Sequence, residues 1–306
     1  MGYFYLLCVA LLFSFGGTCV KLISPYFNAG FITFFRFVVG VFFLLLLKGV
    51  LRRRFQKDFW KTVRMAGGWI VFGAAAKWLA YWTENYALSH GVSYGNIVTQ
   101  PAQTVFLTLV SIFFFKEKMS VKKAICILMC MLGVLCISWN GRPLDVFFGE
   151  NILLTALFWI SGTLAGGHVL AQKMIADKMD IIDSNLSIFA VSAVLAGSVL
   201  IPDIAGGGFP TVAPNAACIA AILMFGFITG IGFYLNAKAI PLVPFYMVPI
   251  LQSTMVLFSI TWGILFFHEE VSVYIIVGTV VFVAGLVLLQ LLNAAEKDTK
   301  KEENDG

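Results

Sequence analysis

Three ionisable side chains lie deep inside apolar parts of the sequence. Arg36 is the only charged residue of 22–47, and Lys77 and Glu84 are the only charged residues of 65–115. A charge at membrane depth costs about 2.5–3.5 kcal/mol on insertion scales, so it needs a partner, a cavity or a function. These three intramembrane charges are therefore the first candidates for binding a ligand.

Lys77 and Glu84 are seven residues apart, two turns of a helix, and so share one helix face with Tyr81. Trp82 lies on the adjacent strip of that helix. One interpretation is a cavity wall that holds a polar or zwitterionic ligand, with the aromatic rings packing on its apolar part. The other is a structural pair, in which the two charges partly neutralise each other. Arg36 is open to ligand contact and equally to an architectural role.

Amide side chains recur on two further predicted helices, and prolines interrupt both. Asn96 and Gln100 lie on one face of the first helix beside Pro101, and Gln252 lies on the second beside Pro249. Interrupted helices at matching positions in two halves of a chain are typical of a central binding site. The alternative is that the amides cross-link helices, at about 0.6–2 kcal/mol each.

His168 is the remaining candidate with a titratable side chain. Its imidazole could carry a coupling proton near neutral pH, or it could be held by a hydrogen bond inside the helix bundle. We predict that ten side chains border one central cavity: Tyr81, Trp82, Glu84, Asn96, Gln100, Trp159, His168, Tyr234, Asn236 and Gln252.

The elements that position these residues follow from the composition. Residues of the set AVILMFWYC make up 60% of the 306-residue chain and charged residues only 12%, against about 45–50% and about 25% in soluble domains. The bilayer must be the main solvent, and continuous apolar runs without a period of two exclude a porin-type barrel. We predict an all-α integral membrane protein with ten transmembrane helices, at 3–23, 27–47, 66–87, 93–115, 122–139, 152–172, 184–204, 216–237, 243–267 and 272–292.

The basic residues predict the orientation of these helices. With the N-terminus inside, the inner loop 48–64 holds seven lysines and arginines and the next inner loop holds four. The outer loops hold only Arg142, and Lys21 lies near an outer boundary. This asymmetry predicts a multi-pass protein of the cell membrane with both termini in the cytoplasm.

The chain repeats itself at an offset of 152 residues, without a gap across the fourth and fifth predicted helices. Four of the identical pairs are the least expected by chance in so apolar a sequence: Gln100 and Gln252, Glu117 and Glu269, Ser120 and Ser272, and Gly133 and Gly285. Five helices per repeat is an odd number, so the second copy enters the membrane from the opposite side. Such inverted repeats are typical of secondary transporters. We predict two inverted five-helix repeats, 1–140 and 141–295, and a charged cytoplasmic tail at 296–306.

Several motifs resemble one known family, the EamA domain. Phe15-Gly16, Lys21, Arg36 and the segment 114–120 (FFKEKMS) resemble its first copy, and 266–272 (FFHEEVS) with Gly285 resembles its second. The family's usual Trp-Gly and Gly-Glu pairs are altered at these places. Two tandem EamA domains imply a ten-helix member of the drug/metabolite transporter superfamily. The resemblance also implies transport of amino acids or related metabolites, most often outward.

The repeat and the resemblance together predict a secondary active transporter that exports small polar metabolites such as amino acids, by alternating access around a central cavity. The alternative is uptake or antiport of a sugar, nucleotide sugar or nucleobase derivative. An intramembrane enzyme would need a cluster of carboxylates, histidines or cysteines, and a pump would need a P-loop; the sequence contains neither. A channel is a further alternative, but it leaves the paired interrupted helices unexplained. We therefore expect no enzyme, no cofactor, no metal site and no nucleic-acid partner. The expected partners are a small-molecule substrate and the lipid bilayer.

Energy coupling depends on the protonation of Glu84, the only carboxylate deep in the predicted membrane region. Burial favours the neutral carboxyl, whereas a cation within about 6 Å favours the carboxylate. Because Lys77 shares the helix face of Glu84, we expect the charged form. That form predicts uniport or exchange against a counter-substrate, and a coupling proton is the alternative.

Overall fold

The computed structural model describes residues 1–90, 99–141, 143–145, 152–205, 213–267 and 272–305. Within these ranges the chain is helical and contains no strand. The α-helices, in chain order, are α1 (Gly2–Ser14), α2 (Gly16–Ile23), α3 (Ala29–Val50), α4 (Phe59–His90), α5 (Thr99–Phe113), α6 (Val121–Trp139), α7 (Ile152–Ile175), α8 (Ile181–Ala205), α9 (Ala216–Phe227), α10 (Phe233–Ala239), α11 (Met247–Gln252), α12 (Met255–Phe267) and α13 (Val273–Asp305). A π-helical turn, Ile228–Gly232, joins α9 to α10, and a 3₁₀ turn, Ile240–Leu242, follows α10.

As far as they are described, the ten predicted spans coincide with one helix each or with consecutive helices, so the prediction of a helical membrane protein is confirmed. The first span is α1 with α2, and the ninth is α11 with α12, separated at Ser253 and Thr254. Residues 93–98, at the start of the fourth span, lie outside the described residues. Seven described segments are long and apolar enough to cross a membrane: Gly2–Val20, Ala29–Val50, Val121–Trp139, Ile152–Ile175, Ile181–Ile201, Ala216–Leu242 and Val273–Leu292.

The helix α4 carries Lys77 within its membrane part and is enclosed by other helices. It packs against α7, α8 and α3. Hydroxyl groups tie it to two of these neighbours: Ser161 Oγ donates to the Ala80 carbonyl at 2.9 Å, and Ser192 Oγ donates to the Ala74 carbonyl at 3.2 Å. Hydrogen bonds of this kind hold helices together where the surrounding lipid offers no hydrophobic driving force.

Side chains fix the first turns of three helices. Asn28 accepts from the Phe31 backbone N–H at 3.1 Å and begins α3, which carries Arg36 two turns later. Ser120 begins α6 and Asn215 begins α9 in the same way. Each of these oxygens satisfies one of the backbone donors that a helix start leaves without a partner.

The helices α6 and α13 are equivalent members of the two repeats, and they pack against each other in opposite directions. From one end of the contact to the other, Cys126 lies beside Gly285, Cys130 beside Phe282, and Cys136 beside Tyr274. Residue numbers therefore rise along one helix as they fall along the other. The second repeat is inverted relative to the first, as the odd number of helices per repeat predicts.

One contact of this pair marks the axis that relates the repeats. Cys130 and Phe282 are equivalent positions, 152 residues apart, and the Cys130 thiol lies 3.8 Å from the Phe282 carbonyl oxygen. A residue meets its own equivalent only where the axis passes. Glycines permit this close approach: a Cβ added at Gly133 would lie 2.6 Å from Phe282 N, and one added at Gly285 would lie 3.0 Å from Cys130 N.

Candidate functional site

Five buried amide side chains form a head-to-tail chain of hydrogen bonds through the helix bundle. Gln103 Nε2 donates to Gln252 Oε1 at 3.2 Å, and Gln252 Nε2 donates to Asn236 Oδ1 at 2.7 Å. Asn236 Nδ2 then donates to Gln172 Oε1, and Gln172 Nε2 donates to Asn185 Oδ1, both at 2.9 Å. The last amide, Asn185, donates to a backbone carbonyl of its own helix.

This amide chain crosses from the first repeat to the second. Gln103 belongs to α5, whereas the other four side chains belong to α11, α10, α7 and α8. All five side chains are buried. Each buried amide supplies what its neighbour lacks, so the chain avoids the cost of about 1–3 kcal/mol for an unsatisfied buried polar group.

A second polar region surrounds the ring of Tyr81 on α4. Arg36 Nε donates to Thr229 Oγ1 at 2.9 Å, and its guanidinium carbon lies 3.7 Å from the Tyr81 ring centroid and 4.1 Å from that of Phe225. Thr229 lies in the π-helical turn after α9. Such turns are frequent at functional sites.

Lys77 reaches the same ring from its own helix. Its ammonium nitrogen lies 4.2 Å from the Tyr81 centroid and 4.5 Å from the Phe233 centroid. Lys77 is only 6% exposed, and within the described part of the chain its ammonium has no hydrogen bond and no ion pair. Glu84 lies within electrostatic range of both Lys77 and Arg36. We call Arg36, Lys77, Tyr81 and Glu84 the cation–aromatic cluster.

His168 lies between the cluster and the amide chain. Its Nδ1 is 3.1 Å from the Gly73 carbonyl, and its ring packs against Phe189 and Phe233, with centroids 6.0 and 5.2 Å away. With a proton on Nδ1, the imidazole donates to that carbonyl, and Nε2 is left as a buried acceptor without a partner among the described residues. Gly73 permits this contact, because a Cβ there would lie 2.7 Å from Ala171 Cβ.

The predicted cavity residues occupy different kinds of places. Asn236 and Gln252 bond to each other, and Tyr81 and Glu84 belong to the cation–aromatic cluster. Gln100 has a buried Oε1 with no partner among the described residues. Three predicted residues are less buried. Trp82 is half-buried and stacks on Tyr86, Tyr234 is half-buried near Lys238, and Trp159 is 43% exposed. Asn96 lies outside the described residues.

Several residues of these two regions are absent from the ten predicted cavity residues. Gln103 and Gln172 extend the polar helix faces of Gln100 and His168, which they follow by three and four residues, and that spacing is visible in the sequence. For Asn185 and Thr229 the sequence gives no sign of a binding role, and their importance comes only from the helix that packs opposite them.

The loop after α3 is fastened to the start of α8 by charged and polar side chains. Lys48 forms a buried ion pair with Asp183, and the Gln56 backbone N–H donates to the other Asp183 oxygen at 3.0 Å. Arg53 pairs with Asp180 at 2.8 Å in a more exposed position. We call these five residues the basic-loop clasp. They join the first repeat to the second.

A further contact between the repeats involves the EamA-like motif after α5. Glu117 Oε1 accepts from the Phe245 backbone N–H at 2.9 Å, and the rings of Phe115 and Phe245 pack edge to face. Phe245 stands two residues before α11. The motif therefore anchors the end of α5 to the start of the interrupted ninth span.

Comparison with known proteins agrees with this architecture. One solved crystal structure superposes on this chain with a TM-score of 0.77 and 14% sequence identity. The alignment covers 95% of this chain and 98% of the other, so the two share a fold. No curated protein sequence matches the chain. The sequence profile of the EamA-like transporter family matches twice, at residues 1–139 and 151–291. The chain belongs to the EamA-like transporter family.

Proposed function

We propose that the chain is a secondary active transporter that exports small polar metabolites, such as amino acids, by alternating access around a central cavity. The observation that carries the proposal is the meeting of polar side chains from both repeats: Gln103 with Gln252, and Arg36 with Thr229. In carriers built from inverted repeats, substrate binds at the interface of the repeats near the membrane midplane. Membership of a transporter family supports the same function.

Three buried polar atoms support a ligand site beside these contacts. Thr99 Oγ1, Gln100 Oε1 and His168 Nε2 have no hydrogen-bond partner among the described residues. Buried polar groups are almost always bonded, so each such atom calls for an explanation. A polar substrate in the proposed cavity would supply the missing donors and acceptors. The cavity would be bordered by the ten side chains predicted from the sequence.

The basic-loop clasp and the Glu117 contact support a rocking mechanism. Both join the two repeats on the side of the 48–56 loop, which the positive-inside rule assigns to the cytoplasm. A carrier with these contacts formed is closed on that side. Binding of substrate from the cytoplasm would therefore require the Lys48–Asp183 pair to separate.

Transport by the purified protein in liposomes tests the proposal. We expect accumulation of at least one compound from a panel of amino acids, sugars and nucleobases above that of protein-free liposomes. Gln252→Leu interrupts the amide chain, and we expect it to reduce this transport at least tenfold. Gln290→Leu is the matched control, because Gln290 is exposed on α13. An equal loss in both variants, or no transport of any compound, would contradict the proposal.

The membrane orientation is a separate prediction. With the protein in the plasma membrane, we expect both termini and Arg52 to face the cytoplasm. We expect Gly141 and Gly206 to face outward; Gly206 lies outside the described residues. In variants without Cys8 and Cys136, a membrane-impermeant maleimide should label Leu144→Cys in intact cells and Arg52→Cys only after lysis. Labelling of Arg52→Cys in intact cells would contradict the predicted topology and indicate the opposite orientation.

A further inference from the structure

We propose that Arg36 and Lys77 are the anion-binding part of the transport site, and that the substrate is an organic anion in which one carboxylate is attached to an apolar or aromatic body. The inference rests on the proposed transport function and narrows its substrate class.

The first argument is the imbalance of charge in the cation–aromatic cluster. It contains two cations and one carboxylate, Glu84, so one positive charge is in excess. Within the described part of the chain, neither the ammonium of Lys77 nor the terminal guanidinium nitrogens of Arg36 have a hydrogen-bond acceptor. Charged groups inside a membrane protein normally pair, or mark a substrate pathway.

A second buried lysine in the same molecule shows what a structural cation looks like. Lys48 is 5% exposed, against 6% for Lys77, and it pairs with the carboxylate of Asp183. Asp183 also accepts from the Gln56 backbone, so that carboxylate is held in place. Lys48 is thus paired directly with a carboxylate, whereas Lys77 contacts aromatic rings and has Glu84 only at longer range.

The geometry of the cluster fits a carboxylate. The guanidinium carbon of Arg36 and the ammonium of Lys77 lie 3.7 and 4.2 Å from the same Tyr81 centroid, so the two cations are less than about 8 Å apart. A carboxylate that accepts one charge-assisted bond of about 2.8 Å at each oxygen spans about the same distance. The upper limit on their separation thus matches the span of one bridging carboxylate, which is the binding mode that we propose.

The walls around the cations are aromatic, which suits an apolar body on the same molecule. Phe225 lies against the guanidinium, and Phe233 lies against the ammonium. Phe233 is in turn 5.3 Å from Phe189, ring centroid to ring centroid. Aromatic pairs in offset or edge-to-face geometry favour one further ring at such a surface. A free cation would be repelled by the excess charge, and a zwitterion would gain less than an anion.

Three compounds with one body and different charges test the inference. We would measure binding of 3-phenylpropionate, phenylalanine and 2-phenylethylamine to the purified protein in detergent, and their counterflow in liposomes. We expect affinity to fall in that order, with the anion at least tenfold tighter than the amine. Tighter binding of the amine or of phenylalanine would overturn the inference.

Variants separate the charge of Lys77 from its packing. Lys77→Met should weaken binding of 3-phenylpropionate at least tenfold without weakening that of the amine, whereas Lys77→Arg should retain the preference for the anion. Glu84→Gln should tighten binding of the anion severalfold. Lys61→Met is the matched control on the same helix, because Lys61 is exposed, and it should bind like the wild type.

The outcomes distinguish the inference from the proposed function. An equal loss of all three compounds in Lys77→Met would show a structural lysine and overturn the inference. Transport of the panel compounds with a reversed charge preference would overturn it too, while the transport function would stand. The expected order of binding without any counterflow would support the anion site and contradict transport.

Discussion

Two helical rows at equivalent positions of the two repeats differ in the chemistry that they carry. At the 152-residue offset, Lys77, Tyr81 and Glu84 of α4 correspond to Thr229, Phe233 and Asn236 of the π-helical turn and α10. The first row carries both signs of charge, and the second is neutral. The two rows also meet, because Lys77 lies against Phe233, and Arg36, which lies over Tyr81, donates to Thr229.

The rows also differ in how completely their polar atoms are hydrogen-bonded. Asn236 uses both ends of its amide, accepting from Gln252 and donating to Gln172. Lys77, by contrast, has only ring contacts among the described residues. A buried network in which every polar atom is hydrogen-bonded stabilises one packing of the helices. Buried donors without an acceptor are available to a ligand. Equivalent positions in the two repeats thus differ both in charge and in bonding, and under the proposal above the neutral row is structural while the charged row binds substrate.

The largest effect should come from breaking the neutral row. Asn236→Leu would leave Gln252 Nε2 and Gln172 Oε1 buried without a partner, so we expect the free energy of unfolding to fall by about 2–4 kcal/mol. Denaturation of the purified protein in detergent measures this. Asn85→Leu is the control, since half-buried Asn85 has one bond to Thr33 at 3.0 Å and should lose about 1 kcal/mol. Equal losses would contradict the distinction between the rows.

A smaller effect, of opposite sign, should follow from neutralising the charged row. Lys77→Met removes a buried cation that forms no direct ion pair among the described residues, so we expect the free energy of unfolding to rise by about 1–2 kcal/mol. Lys61→Met should leave it unchanged. The same denaturation experiment applies. A loss of stability as large as that of Asn236→Leu would show that Lys77 is a structural residue.

The smallest effect concerns the carboxylate of the charged row. Because nearby cations favour the ionised form of a carboxyl group, we expect Arg36 and Lys77 to keep Glu84 charged, so that it carries no proton. We therefore expect Glu84→Gln to respond to an imposed pH gradient as the wild type does, with the same ratio of uptake with and without the gradient. Measurements in liposomes decide this. A ratio that falls to one only in Glu84→Gln would assign the coupling proton to Glu84.

Much of the fold could be predicted because the signal for a membrane span is compositional. Ten apolar stretches required no knowledge of packing, and the polar repeat pairs required only an offset. The ends were less accurate: α4 begins at Phe59, seven residues before the predicted span, because the stretch with Lys61 and Arg64 is helical without being apolar. A hydropathy signal cannot detect a helix that extends into the polar region.

The site could be predicted only where a residue is out of place in its own helix. Lys77 and Glu84 stand out in an apolar segment, and Asn236 stands out as the equivalent of Glu84. The hydrogen bond between Gln172 and Asn185 could not be predicted in this way, because polar residues on ten helices allow many pairings. Which pairing forms depends on how each helix is rotated about its axis, and that is decided by packing between helices distant in sequence.

The contact between Cys130 and Phe282 has a consequence for any cycle in which the two repeats exchange conformations. When the repeats exchange conformations, a contact between two positions is replaced by the contact between the two equivalent positions. Cys130 and Phe282 are each other's equivalents, so their contact is replaced by itself. In such a cycle this point on the α6–α13 seam would have the same separation in both end states, whereas the basic-loop clasp would be closed in one and open in the other. A pair of spectroscopic labels attached there would report the same distance in both end states and would serve as the reference for the distances that change.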